Sequence, residues 1–161
     1  MKKIIFMFIA CIMLSFSLSS TSHASIEICN KTDTVRLNNE LYYLNTIITE
    51  FDSITSDDAN LTRSTKTASK TTYIKDANQN ILWYVTITAT FTYDGTTSSC
   101  ISCSHDAGSN NSHWSIKSCT SSMSGNSATA TAVATQTLLF GITHDYTRSV
   151  TIFCAPDGTI S

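Results

Sequence analysis

The chain has 161 residues, 42% of them hydrophobic, and a formal charge of −2 at neutral pH. That length accommodates one domain with a modest core. Ten basic against twelve acidic side chains leave no basic excess with which to grip nucleic acid or an anionic membrane surface.

The first element is a leader. In MKKIIFMFIACIMLSFSLSSTSHA, Lys2 and Lys3 form a positive head and Ile4 to Leu18 a mostly apolar stretch. Ser22-His23-Ala24 then makes a small-x-small cleavage signal. An uncleaved anchor fits less well, because the apolar run is short for a span and is broken by Ser15 and Ser17. Lipoprotein cleavage before Cys11 also fits poorly: Phe8-Ile9-Ala10 is not a lipidation site and the apolar run continues past it. The expected product is a secreted, extracellular chain starting at Ser25, with no membrane span left after cleavage behind Ala24. No anchor is visible in the closing CAPDGTIS.

Residues 25–60 read as an acidic N-terminal arm, in which Lys31 and Arg36 face seven carboxylates. Leu37, Leu41, Leu44 and Ile48 recur at helical spacing after Asp33 or Thr34 as a candidate N-cap, which predicts a short amphipathic helix. An extended, loosely docked segment fits the same residues. DSITSDDANLTR then reads as a polar linker.

Residues 61–161 read as the β domain. Trp83, Val85, Ile87, Ala89, Phe91 and Tyr93 alternate with Thr86, Thr88, Thr90 and Thr92, which predicts a long strand with one buried face. KTTYIKDANQNILWY before it reads as strand, turn, strand, and Asp94-Gly95 after it as a hairpin turn. The five glycines, Gly95, Gly108, Gly125, Gly141 and Gly158, punctuate the rest in turn-like contexts. The intervening HWSIKSCTSSM, ATATAVATQTLL and DYTRSVTIFC are each readable as a strand. Small residues on alternate positions from Ala128 to Ala134 suit close packing against another sheet or a strand exposed on both faces. The fold class expected is all-β: an antiparallel meander of about six or seven strands forming a sandwich or small barrel.

Five cysteines remain after the leader. The pair in CISCSH raises the question of a metal clip, a redox switch or two half-disulfides. Metal binding through Cys100, Cys103, His105 and His113 lacks the paired-knuckle spacing. A redox site wants its cysteine pair at a helix N-terminus, whereas this pair sits in a strand-like run. Disulfides are the reading favoured here, with no metal and no cofactor expected, and Cys29 left free or available for an intermolecular bridge. Positions three apart on a regular strand face opposite ways, so Cys100 and Cys103 would reach different partners. Cys154 alternates with Val150 and Ile152 and so faces the core. Cys103 alternates with Ile101, which argues for Cys103–Cys154, and a bulge after Asp94-Gly95 would reverse that parity.

LTRSTKTASKTTYIKDANQNILWYVTITATFTYDGTTSSC, together with the Trp114 strand, SGNSATATA and the closing VTIFCAPDGTIS, resembles a group of small secreted proteins of Gram-positive bacteria with no assigned activity. The resemblance spans most of residues 61–161 and rests on turns, core aromatics and cysteines matching Cys100 and Cys154. It implies a β fold with a Cys100–Cys154 bridge, leaving Cys103–Cys119, and no transferable activity.

His105-Asp106 and His144-Asp145 invite a Cys-His-Asp hydrolase built on Cys100 or Cys29. Neighbouring positions seldom supply a catalytic pair, since the fold normally assembles it. No Gly-x-Ser-x-Gly elbow, His-Glu-x-x-His or phosphate loop is present. No catalytic residue is therefore assigned. Of the aromatics Tyr42, Tyr43, Tyr73, Trp83, Tyr84, Tyr93 and Trp114, most are expected in the core. Tyr84, on the wet face, is the candidate for contact with a partner. The function expected is a secreted, non-catalytic binding module meeting a protein or glycan of the cell envelope. The alternative is a small secreted antagonist, a bacteriocin-like toxin or enzyme inhibitor.

Overall fold

Period-two alternation builds the centre of the molecule. In the computed structural model, which describes residues 25–37, 40–51 and 63–161, the strand expected after Trp83 runs from Ile81 to Tyr93. Trp83, Val85, Ile87, Ala89 and Phe91 are buried along it, none more than 2% exposed. The interleaved threonines face outward.

This strand is β4 of a five-stranded antiparallel sheet. Its companions are β1 (Ser25–Leu37), β2 (Glu40–Phe51), β3 (Ser64–Lys75) and β5 (Ser98–Gly108), in the order β1-β2-β3-β4-β5. A second antiparallel sheet holds β6 (Trp114–Ser124), β7 (Ser127–Thr137) and β8 (Thr143–Phe153), in the order β6-β7-β8. Both sheets are strict meanders, and β4 packs across the interior against β7 and β8. The described residues thus form an all-β, two-sheet fold of eight strands, against the six or seven expected.

The additional strands come from residues 25–51. The helix expected around Leu37, Leu41, Leu44 and Ile48 is not shown among the described residues: Leu37 ends β1, and Leu41, Leu44 and Ile48 lie in β2. Leu44 and Ile48 are in phase for a helix and for a strand alike, so their spacing does not discriminate. Tyr42 shares their buried face, and Tyr43, Thr46, Ile47 and Thr49 all suit a pleated surface. β3 supplies the ladder partner, pairing Ile48 with Lys70 and Leu44 with Ile74. The leader and the polar linker lie outside the described residues.

The core joins large side chains on β4 to small ones on β7. Ala128, Ala130, Ala132 and Ala134 are at most 1% exposed. Their methyl groups let the second sheet approach Val85, Ile87 and Phe91 closely, as interior packing requires. Of the two roles open to that alanine run, packing against another sheet is the one realised.

Two local expectations change. Asp94-Gly95 is part of a four-residue loop between Tyr93 and Ser98, and only Gly95 takes a positive φ, +85°. Asp94 closes the loop by accepting from the amides and hydroxyls of Thr96 and Thr97. Gly108 ends β5 in an ordinary conformation. Its need is space, because a Cβ there would lie 2.8 Å from the Tyr84 ring.

Candidate functional site

The β7–β8 connection is built from Leu138-Leu139-Phe140-Gly141-Ile142, an apolar run where turn chemistry usually calls for polar residues. The amide of Leu138 donates to the carbonyl of Ile142 at 2.7 Å and closes the loop. Inside it, Phe140 has φ +62° and Gly141 φ +75°. Two successive left-handed residues suit Asn-Gly, and a phenylalanine in the first place is strained. Nothing packs on that phenylalanine: it is 99% exposed, beside Leu139 at 80% and Ile142 at 54%.

Next to this tip lies a mostly apolar groove of about 400 Å³ lined by Tyr42, Leu82, His113, Trp114, Leu138 and Leu139 among others. Its floor is rigid. The Trp114 ring meets Tyr42 edge-on at 6.2 Å, stacks on Trp83 at 6.2 Å and lies 5.1 Å from Tyr146. Tip and groove together make an exposed apolar surface. The expected aromatics Tyr42, Trp83 and Trp114 are here as buried floor and core; Leu138, Leu139, Phe140 and Ile142 are additions that the sequence reading did not single out. The signal was available, as an unbroken apolar run at a glycine turn.

Tyr84, the expected contact, sits at mid-sheet on the outer face. Its hydroxyl donates to Asp106 Oδ2 at 2.9 Å, its ring lies 6.0 Å from that of Tyr73, and it covers Gly108. The hydrogen bond to the Asp106 carboxylate holds its phenol above the usual range.

The four described cysteines are free thiols. A β-bulge where Thr90 and Phe91 pair with Ser102 and Cys100 shifts the register of β5 by one. In consequence Cys103 lies opposite Ala89 and Cys100 opposite Phe91, both inward-facing partners. The opposite-face expectation for Cys100 and Cys103 thus fails: the bulge lies within β5, between the two cysteines, rather than after Asp94-Gly95, so it does not exchange their faces but turns both inward. Cys100 and Cys154 are both buried, and their backbones are clamped to consecutive residues, the amide of Cys100 to Gly125 O at 2.8 Å and that of Cys154 to Asn126 O at 3.0 Å. The two thiols lie close enough to sense each other's charge, as do Cys100 and Cys103. The Asp106 carboxylate is within electrostatic reach of Cys119. Burial raises the pKa of Cys100, Cys119 and Cys154 above the ordinary thiol value. That direction is the reverse of what an activated redox cysteine needs. Cys29 pairs by backbone with Ile48, and its side chain lies outside the described set. Among the described residues no group of three ligating side chains could hold a metal ion.

The His-Asp pairs are separated by the pleat. His105 pairs across the ladder with Ile87 and Asp106 with Thr86, so they point to opposite faces. His105 Nδ1 lies 2.9 Å from Ser121 Oγ on β6, and Asp106 is taken by Tyr84. Asp145 likewise binds Lys117 and Thr135, away from His144.

Fold and surface together define an antiparallel two-sheet β protein with an exposed apolar tip. No family model, curated protein or solved structure matches the chain.

Proposed function

We propose that this chain is an exported, non-catalytic binding module acting outside the cell or at the cell envelope, and that it meets a protein partner through the β7–β8 tip. One observation carries the reading: Phe140 is held fully exposed on a strained turn, between exposed Leu139 and Ile142. Strain kept at a place where it does nothing for packing points to use of the side chain by something else. Exposed aromatic and aliphatic anchors beside a preformed apolar groove are the usual centre of a protein contact. Export rests on the leader at residues 1–24, and membership of the Gram-positive secreted group on the motifs of residues 61–161. In an oxidising medium Cys100 and Cys154 are the pair best placed to join, giving up two protons and two electrons to an extracellular oxidant.

The test is binding of labelled protein to intact envelope-bearing cells, with Leu139→Ser/Phe140→Ser as the variant. Binding at least tenfold weaker in the variant and abolished by protease-shaving the cells supports a protein partner. Equal binding by both forms overturns the tip as the contact, as does the absence of saturable binding. Growth inhibition of neighbouring bacteria that depends on Phe140 moves the assignment to the antagonist.

A further inference from the structure

The inner face of the larger sheet is not uniformly apolar. Register assigns five polar side chains to it. Asp33 lies opposite buried Leu44, Lys31 opposite Thr46, Thr46 opposite buried Thr72, and Lys70 opposite buried Ile48. From the other sheet, Arg148 lies opposite buried Ala132 and faces inward as well. These six side chains line a cleft of about 230 Å³ between β1–β3 and β8. Among the described residues of the lining, cations outnumber carboxylates three to one.

Behind this cleft is a smaller cavity of about 60 Å³, bounded by Arg148, Trp83, Leu44, Ile74 and Tyr146. Arg148 and Leu44 belong to both spaces, so Arg148 borders the cleft and the smaller cavity alike. Two buried donors in that wall have no acceptor among the described residues: Arg148 Nε and Trp83 Nε1. The tryptophan is 2% exposed. Donors buried without an acceptor cost stability, and a guanidinium costs more than an indole because it stays charged. What satisfies two N–H donors beside an excess of positive charge is an acceptor-only, negatively charged group.

We propose that the cleft between β1–β3 and β8 binds a small oxyanion, a carboxylate or phosphate group, with Arg148 as its principal partner. Lys31 and Lys70 attract the anion at the mouth, and the Trp83 indole donates at the inner end. The planar guanidinium matches the two oxygens of such a group. The cleft shares no lining residue with the β7–β8 tip, and its inner wall meets the floor of the neighbouring groove through the stacked Trp83 and Trp114 rings.

The chain has two tryptophans, which makes the test direct. Indole N–H resonances of 15N-labelled full chain are followed during titration with sodium phosphate, sodium acetate and sodium glucuronate at fixed ionic strength. Trp83→Phe assigns the peaks. The expected result is a saturable shift of the Trp83 signal with at least one probe, with the stacked Trp114 shifting less. Phosphate alone or the carboxylates alone then identifies the group. Arg148→Gln should weaken binding at least tenfold, and Lys31→Gln, on the exposed edge strand, severalfold. Should Arg148→Gln fail to fold, Lys31→Gln decides. The proposal is overturned if Trp83 does not shift, if both indoles drift together with salt, or if the foldable variant binds as the native chain does.

Discussion

Replacing Phe140 with asparagine should make the protein more stable. In the native chain this side chain is 99% exposed, so its removal forfeits no burial. The backbone there has φ +62° and ψ +19°, a conformation that costs an ordinary L-residue about 1–2 kcal/mol. Asparagine adopts it readily, and Asn-Gly is the favoured pair for two successive left-handed residues. Most of the strain is relieved without loss of a contact, so we expect a gain of about 1 kcal/mol and a rise in Tm of about 3–5 °C. Circular-dichroism melts and a urea titration measure it. The midpoint should move up at constant slope, since the surface exposed on unfolding hardly changes. A loss of 1 kcal/mol or more would refute the reasoning, because it would mean that Phe140 packs against the native fold. Run beside the cell-binding assay, the same variant separates two roles: stability should rise while binding falls.

Ala132→Leu on β7 should destabilise by about 1–3 kcal/mol, since the site is fully buried against β4 and has no room for three further carbons; a neutral melt would mean that the sheets stand further apart. Asp94, Asp76, Asp145 and Asp157 all have lowered pKa values, held down chiefly by the Thr96 hydroxyl, the Asn80 amide, the Lys117 ammonium and the Thr159 amide respectively. Between folded and ordinary carboxylate values the unfolded chain binds more protons, so their contribution is present above about pH 4 and is lost as pH falls below it. Asp94→Asn should flatten that acid limb in pH-dependent melts, and an unchanged limb would remove Asp94 from the account. At the alkaline end, burial keeps the Cys100 and Cys154 thiols protonated above their ordinary value of 9.0, so the reduced protein should lose stability as pH rises past it. Oxidised protein should give a peptide joining Cys100 to Cys154 in a non-reducing map. That bridge closes a loop of about fifty residues and is worth about 4 kcal/mol on the chain-entropy model; a map in which Cys154 stays free contradicts the pairing.

How much of this was legible in the sequence depended on whether a pattern had one physical reading. β4 did: eleven residues of strict alternation fit only a strand with one buried face. β7 nearly did, its alanines leaving a choice that packing against β4 decides. Leu44 and Ile48 had two readings, because a spacing of four is even as well as helical, and pairing with β3 settles it in favour of β2. The parity of Cys100 and Cys103 turned on one extra residue in β5, and a bulge leaves no mark in composition. Lys70 and Arg148 were hidden for another reason. A charged residue in a strand is normally assigned to the wet side, and only the register with Ile48 and Ala132 turns them inward. Phe140 was overlooked because a glycine turn explains itself and draws attention from the apolar residues that it displays.

The outer faces carry their hydroxyls in bonded pairs: Thr67 with Thr90, Ser69 with Thr88 and Thr71 with Thr86 on one sheet, Thr129 with Thr151 and Thr131 with Ser149 on the other, at 2.6–2.9 Å. Only 14% of the chain is charged, so much of its wettability comes from these groups. Hydroxyls neither titrate in the range where proteins live nor gather a counter-ion cloud, and added salt has little there to screen. A wall of this kind stays hydrated in brine, in dilute water and across swings of acidity, without calling on the few charges that the molecule carries.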